Sequence, residues 1–259
     1  MSPENGAKEL GDVSLAPPEY NCDPATDASL RVGKKKSKMK PAVSSILVLK
    51  LGGSLFDVPD LFRKIETLWG GENVPLWIVP GGGGFVEEIR RLDAVHNWPA
   101  QMAHQLALSA MSLTARMVVE GHSQFDLVHS PAECRIRPHR IKVIDIASWD
   151  EVRTLPASWD LTSDSIAAWI AFRFGSGRLL LAKSVGLPKP VPALQVATDL
   201  QLVDACFPDY AGRLQQVDWI NLRDPFPEIQ PWRSTSQDQD RPEISSIPAT
   251  YRQKNPLTP

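Results

Sequence analysis

Short apolar runs bounded by glycine or proline recur through the middle of the chain and alternate with stretches of helical period. "ILVLKL" from Ile46 and "PLWIVP" from Pro75 are unbroken runs of the kind shown by central parallel strands, which are covered on both faces. "KVIDI", "RLLLA" and "DWINL" predict further strands. After the second run, Phe85, Ile89 and Leu92 recur at helical spacing. Met102, Leu106, Ala110, Leu113 and Met117 then form a longer stripe, expected to face the core, and Ile166, Trp169 and Ile170 mark another helix. This alternation predicts an α/β fold, a three-layer αβα sandwich with a mostly parallel central sheet, in which ligands sit at the carboxyl ends of the strands.

The pattern fades at both ends. Residues 1–44 are rich in Pro, Glu, Asp, Ser and Lys and finish in "KKKSKMK", so they hold too little apolar surface to offset the entropy of ordering and are expected to form a disordered tail. Met39 stands just before the ordered pattern and is expected to be the physiological start. Residues 226–259, with repeated prolines and "RSTSQDQDRPE", are read as a loosely attached polar tail, which leaves 45–225 as the folded domain.

Bulk composition narrows the partners. With 259 residues and 42% hydrophobic positions the chain can bury a sizeable core. A formal net charge of −2 gives no global field to recruit nucleic acid or anionic lipid, and the basic run near residue 35 is read as a solvated tail. No stretch approaches the ~20 apolar residues of a membrane span. Cys22, Cys134 and Cys206 lie far apart without CxxC spacing, as thiols in a reducing compartment do. The expectation is a cytoplasmic protein that meets neither nucleic acid nor membrane.

Two of the strands run into glycine. Lys50 stands at the end of the first, followed by Gly52, Gly53 and Ser54; the second opens into "PGGGG", Gly81 to Gly84. On one edge of a parallel sheet, such turns let a backbone approach a ligand closely and aim N–H groups at phosphate oxygens. Each is also what a plain tight strand-to-helix turn looks like. Neither is a Walker A loop, because Lys50 precedes its glycines, and neither fits GxGxxG. The third element is "WDLTSDSIAAWIA", where Thr162 or Ser163 can cap a helix with Asp164 in its first turn, a placement that on its own serves only the helix dipole.

"KLGGSL", "VPGGGGF" and "TSDSIAAWIA", in that order, resemble the amino acid kinase superfamily of acetylglutamate, aspartate, uridylate and isopentenyl phosphate kinases, over about Ile46 to Pro225. "AHQLALSAM", "WDLTSDS" and "VDACFPDYA" followed by "DWINLRDP" look most like the branch assigned to methanofuran biosynthesis, which phosphorylates [5-(aminomethyl)furan-3-yl]methyl phosphate. The resemblance implies an ATP- and Mg²⁺-dependent kinase of a small phosphorylated acceptor, in a homo-oligomer. It places Lys50 on the transferring phosphoryl group and Asp164 as the organiser of that lysine. Gly52, Gly53, Ser54 and Ser163 are placed on the nucleotide, and Gly81, Gly82, Gly83 and Gly84 on the acceptor. Other acceptors of that superfamily, or nucleotide binding without transfer, are the alternative readings.

One departure stands out. Many members carry an aspartate-containing "TDV.GV" turn where this chain reads "LLLAKSVG", so Lys183 either restores charge to the nucleotide end of the site or snorkels at the surface. His104 matches the resemblance as an acceptor-binding group, against a structural role on its helix. Arg223, after a strand, is a candidate phosphate clamp, with surface pairing as the alternative. His96, His129 and His139 show no metal-ligand spacing, and no residue is assigned to a metal.

Overall fold

Five-residue strands made only of buried side chains set the centre of the molecule: β1 (Leu47–Leu51) and β2 (Leu76–Pro80). A computed structural model describes residues 46–69, 74–136 and 141–234. The amino-terminal segment with Met39, the histidine at 139 and the chain beyond Ser234 lie outside the described residues. The remaining strands are β3 (Phe125–Val128), β4 (Ile141–Ile144), β5 (Arg178–Lys183), β6 (Gln216–Asn221) and β7 (Ile229–Ser234). They form one sheet in the order β3-β4-β2-β1-β5-β6-β7, parallel throughout except for the antiparallel β7 at its edge.

Chain direction across the sheet reverses at β1: the path runs outward through β2 and β4 on one side and later through β5 and β6 on the other. An open α/β sheet places its crevice at such a switch point, beyond the carboxyl ends of the strands. The three turns that meet there follow β1, β2 and β5, because Leu51 is in register with Pro80 on one side and Ala182 on the other. "GGS", "PGGGG" and "KS" are therefore neighbours in space.

Alternation along the strands sorts the core into two layers. Val48, Val79, Leu179, Leu181 and Trp219 face α4 (Ser163–Arg173) and α6 (Phe207–Ala211); Leu47, Leu49, Leu51, Ile78 and Leu180 face α1 (Leu61–Trp69). A period of two puts Lys50 on the Val48 face, toward α4. The helix α3 (Ala100–Glu120) lends Leu108 and Met111 to the first layer and Ala115 and Val118 to the second. Between those pairs Thr114 bonds the Gly81 carbonyl and Ser112 bonds Asp145, so α3 crosses the carboxyl ends of β2 and β4.

Several expectations need correction. Met102, Leu113 and Met117 are 46%, 45% and 42% exposed, so the stripe expected to face the core turns mostly outward, although Ala110 is buried. The buried face of α3 is instead Ala103, His104, Leu108, Met111, Thr114 and Ala115. Phe85 is exposed, and α2 (Gly83–His96) buries no residue. The start of the expected tail is a strand: Trp232 of β7 stacks on Phe207 at 5.7 Å, meets Trp219 edge-on at 5.6 Å, and donates its indole N–H to the Pro192 carbonyl. Pro231 is tolerated because β7 is an edge. Cys134 is a buried free thiol, as expected, its pKa pushed up to about 12 by burial, and Cys206 is buried at the N-cap of α6. Among the described residues no helix is long and apolar enough to cross a membrane.

Candidate active site

Lys50 is carried into the crevice by a fully buried central strand, and its ammonium meets one oxygen of Asp164 at 2.8 Å. Lys183, the last residue of β5, reaches the other oxygen at 2.7 Å and also donates to the Leu202 carbonyl at 2.8 Å. One carboxylate is thus shared by two lysines, all three side chains being buried or nearly so. Burial alone would raise the Asp164 pKa, but the charges of Lys183 and Lys50 outweigh it and hold the group at about 2. Burial lowers Lys183 to about 8, Lys50 acting with it and Asp164 against it. The triad carries one net positive charge while Lys183 is protonated. The surface-lysine reading of Lys183 is set aside by this pairing.

Asp164 is fixed in turn by a residue that sequence reasoning missed. Thr162 is the N-cap of α4, yet its hydroxyl turns away from the helix and donates to Asp204 at 2.7 Å. The Asp204 carboxylate also accepts from the backbone N–H groups of Thr162 and Ser165, each at 3.0 Å, and from the Ser165 hydroxyl. A side chain some forty positions away therefore satisfies the amides expected to be capped locally. Burial, followed by the nearby Asp164 charge, raises the Asp204 pKa against those hydrogen bonds. The only hint in the sequence was "VDACFPDYA", noted for resemblance alone.

The two glycine turns touch each other. A Cβ on Gly53 would lie 2.2 Å from the Gly83 nitrogen, one on Gly81 would lie 2.9 Å from the Gly53 nitrogen, and one on Gly52 would lie 2.8 Å from the Ala182 carbonyl. Gly83 also sits at φ +57°. Gly84 faces open space. Together the turns wall a cleft of about 450 Å³ lined by Lys50, Gly53, Ser54, Gly81 to Gly84, Ser163 and Lys183, with Arg90 and Gln201 added. The first amides of α2 and α4 lack partners within their own helices and are aligned for anions. Arg90 was overlooked, although it lies seven residues after Gly83 and so on the same face of α2.

Beside the cleft, and sharing Gly82, Val86, Thr162 and Ser163 with it, is a second cavity of about 310 Å³. Trp98, His104, Met111 and Trp159 all line it. His104 is only 6% exposed, its Nε2 has no hydrogen-bond partner among the described residues, and burial lowers its pKa, favouring the neutral ring. Arg223 is not brought to the cleft lining. It donates to the Ser54 carbonyl at 2.7 Å and pairs with Asp57 at 2.6 Å, so it braces the first glycine turn from outside.

The model of the amino acid kinase family matches residues 45–186, from the start of β1 to just past Lys183. The chain belongs to the amino acid kinase family. It is a phosphotransferase by that membership. Over 188 residues it is 29% identical to the [5-(aminomethyl)furan-3-yl]methyl phosphate kinase of Methanocaldococcus jannaschii, covering 68% of this chain and 74% of that protein. Among solved structures it is similar to the uridylate kinase of Archaeoglobus fulgidus, with TM-score 0.49, 15% identity, and 67% and 88% of the two chains covered. The aspartate kinase of Synechocystis gives TM-score 0.49 and 14% identity over 68% of this chain and 37% of that one. Lys50, both glycine turns, Asp164 and Lys183 all fall inside the span matched to the amino acid kinase family, whereas Asp204 and Arg223 lie beyond it.

Proposed function

We propose that the protein transfers the γ-phosphoryl group of ATP to a small phosphate monoester, and that this acceptor is [5-(aminomethyl)furan-3-yl]methyl phosphate or a close analogue. The observation that carries the reading is the shared carboxylate: Asp164 holds Lys50 and Lys183 at 2.8 and 2.7 Å where three strand ends converge. Phosphoryl transfer needs positioning and charge neutralisation more than covalent help. Two phosphate-bearing reactants repel each other, so two lysines suit this reaction better than a single cation does; Arg90, also on the cleft, is paired with Glu87. The identity of the acceptor is supported by the relative from Methanocaldococcus jannaschii.

In this reading Lys50 and Lys183 neutralise the phosphoryl group in transit and Asp164 keeps both in place. Gly53, Ser54 and Ser163 receive the nucleotide phosphates, while Gly52, outside the cleft lining and with its N–H donated to the Ala182 carbonyl, only shapes the turn. Gly81 to Gly84 receive the acceptor phosphate, and His104 lines the space for the rest of the acceptor. Bound with the nucleotide, Mg²⁺ would supply charge neutralisation on its phosphates; Asp164 has both oxygens engaged by Lys50 and Lys183, so its part is to hold those lysines. The exposed Met102, Leu113 and Met117 on one helix support a homo-oligomer.

An ADP-release assay with MgATP and a panel of acceptors tests the reading. The aminomethylfuran phosphate is expected to outperform isopentenyl phosphate, UMP, aspartate and acetylglutamate. A clear preference for any of those would overturn the acceptor, and ATP binding without turnover of any would favour the non-catalytic alternative.

A further inference from the structure

The helix α2 leaves the second glycine turn with Arg90 lining the cleft and, three residues on, Asp93 lining the apolar cavity. Residues three apart on a helix are surface neighbours. Trp159 joins them: its ring lies under the Arg90 guanidinium at 4.7 Å and its indole N–H donates to Asp93 at 2.7 Å. The other Asp93 oxygen accepts from the Trp98 backbone at 3.1 Å. Both donors are neutral, and Asp93 has no cationic partner among the described residues.

Asp93 sits in the last turn of α2, where the helix dipole opposes negative charge, and it borders a mostly apolar cavity, with Trp98, Ala103, Leu108 and Met111, whose lining also carries Asp160 and the hydroxyls of Ser158, Thr162 and Ser163 but no lysine or arginine. Each of its oxygens retains a lone pair beyond the bond it already accepts. The cavity also holds an unsatisfied group among the described residues, the His104 Nε2, on a residue only 6% exposed. A mostly apolar cavity lined by two carboxylates, Asp93 and Asp160, by an unpartnered ring nitrogen and by no cationic side chain suits a small molecule that brings a cation.

We propose that this cavity seats the far end of the acceptor, and that Asp93 is the specificity-determining residue that reads an ammonium group there. The acceptor is then zwitterionic: its phosphate lies toward Arg90 and the glycine turns, a small flat apolar body lies against Trp98, Trp159 and Met111, and its ammonium pairs with Asp93. The inference rests on the kinase reading above, and it adds the residue that makes the acceptor's ammonium a requirement.

The test compares [5-(aminomethyl)furan-3-yl]methyl phosphate with the analogue whose aminomethyl group is replaced by hydroxymethyl. The wild-type protein is expected to favour the amine about 30-fold in kcat/KM, mostly through KM, as a charge-assisted contact gives. Asp93→Asn is expected to bring that ratio within about threefold. A wild-type ratio near one overturns the inference without recourse to any variant. An equal loss on both acceptors in Asp93→Asn, with the ratio intact, overturns it as well, since that is what a purely structural role would give. If neither acceptor is phosphorylated, the kinase reading fails separately, and tryptophan fluorescence titrated with furfurylamine and furfuryl alcohol decides the charge requirement. Tighter binding of the amine by about tenfold, lost in Asp93→Asn, supports it; equal binding overturns it.

Discussion

Lys183 shows what a single side chain's environment decides. In sequence it stood where the resemblance led one to expect an aspartate, and a strand-end lysine is as compatible with a solvated surface as with a site. What settles its place is Asp164, which no spacing connects to it, together with the Leu202 carbonyl. Arg223 went the other way, because Asp57 and the Ser54 carbonyl take its guanidinium. Lys183 carries a pH prediction. Only its protonated form neutralises phosphate, and its pKa is lowered to about 8, so kcat/KM is expected to fall as pH rises through about 8. Lys183→Arg should move that limb to much higher pH, because arginine stays charged. Lys183→Met should lose roughly 10²–10³ in kcat, as removal of one preorganised positive group does. A limb unmoved in the arginine variant would assign the titration to another group.

At the scale of elements, the strands buried on both faces were legible because an unbroken apolar run leaves little else to be. The half-buried edge strands β3 and β7 were not, since neither alternates cleanly and β7 contains a proline. The existence of α3 was plain and its orientation was not. Both of its faces carry apolar residues, so the 3.6 period could not choose the buried one, and the helix turns Thr114 rather than Leu113 toward the strand ends. Either glycine turn alone fits a plain tight turn, the two together with Lys50 favour an anion site, and their mutual contact separates the glycines by role. Gly53→Ala puts a methyl group against the Gly83 backbone and is expected to reduce activity by at least tenfold with a lowered Tm, whereas Gly84→Ala meets open space and should change Tm little. Thermal melts and ADP-release rates on the two variants check this. Similar effects from both would mean that the contact does not shape the site.

For the whole molecule, the order of strands places Lys50, two glycine turns and Lys183 on one edge, and the sequence could only assume that edge from the alternation of elements. Long-range polar contacts were beyond it: Asp204 acts on α4 across 39 residues, and Asp93 and Arg90 meet through Trp159, 66 positions from Asp93. The apolar face of α3 makes its own prediction. Leu113→Glu sets charge on the exposed stripe, and light scattering should show a shift from oligomer to monomer with the fold intact; a wild-type protein that is monomeric at micromolar concentration would remove the basis for it. The account turns most directly on what is made at the crevice. Phosphorus-31 NMR of the wild-type protein with MgATP and [5-(aminomethyl)furan-3-yl]methyl phosphate is predicted to show the acceptor's single resonance replaced by the coupled pair of a diphosphate as ADP appears. An acceptor resonance that stays unchanged while ATP is bound or hydrolysed to inorganic phosphate would contradict it.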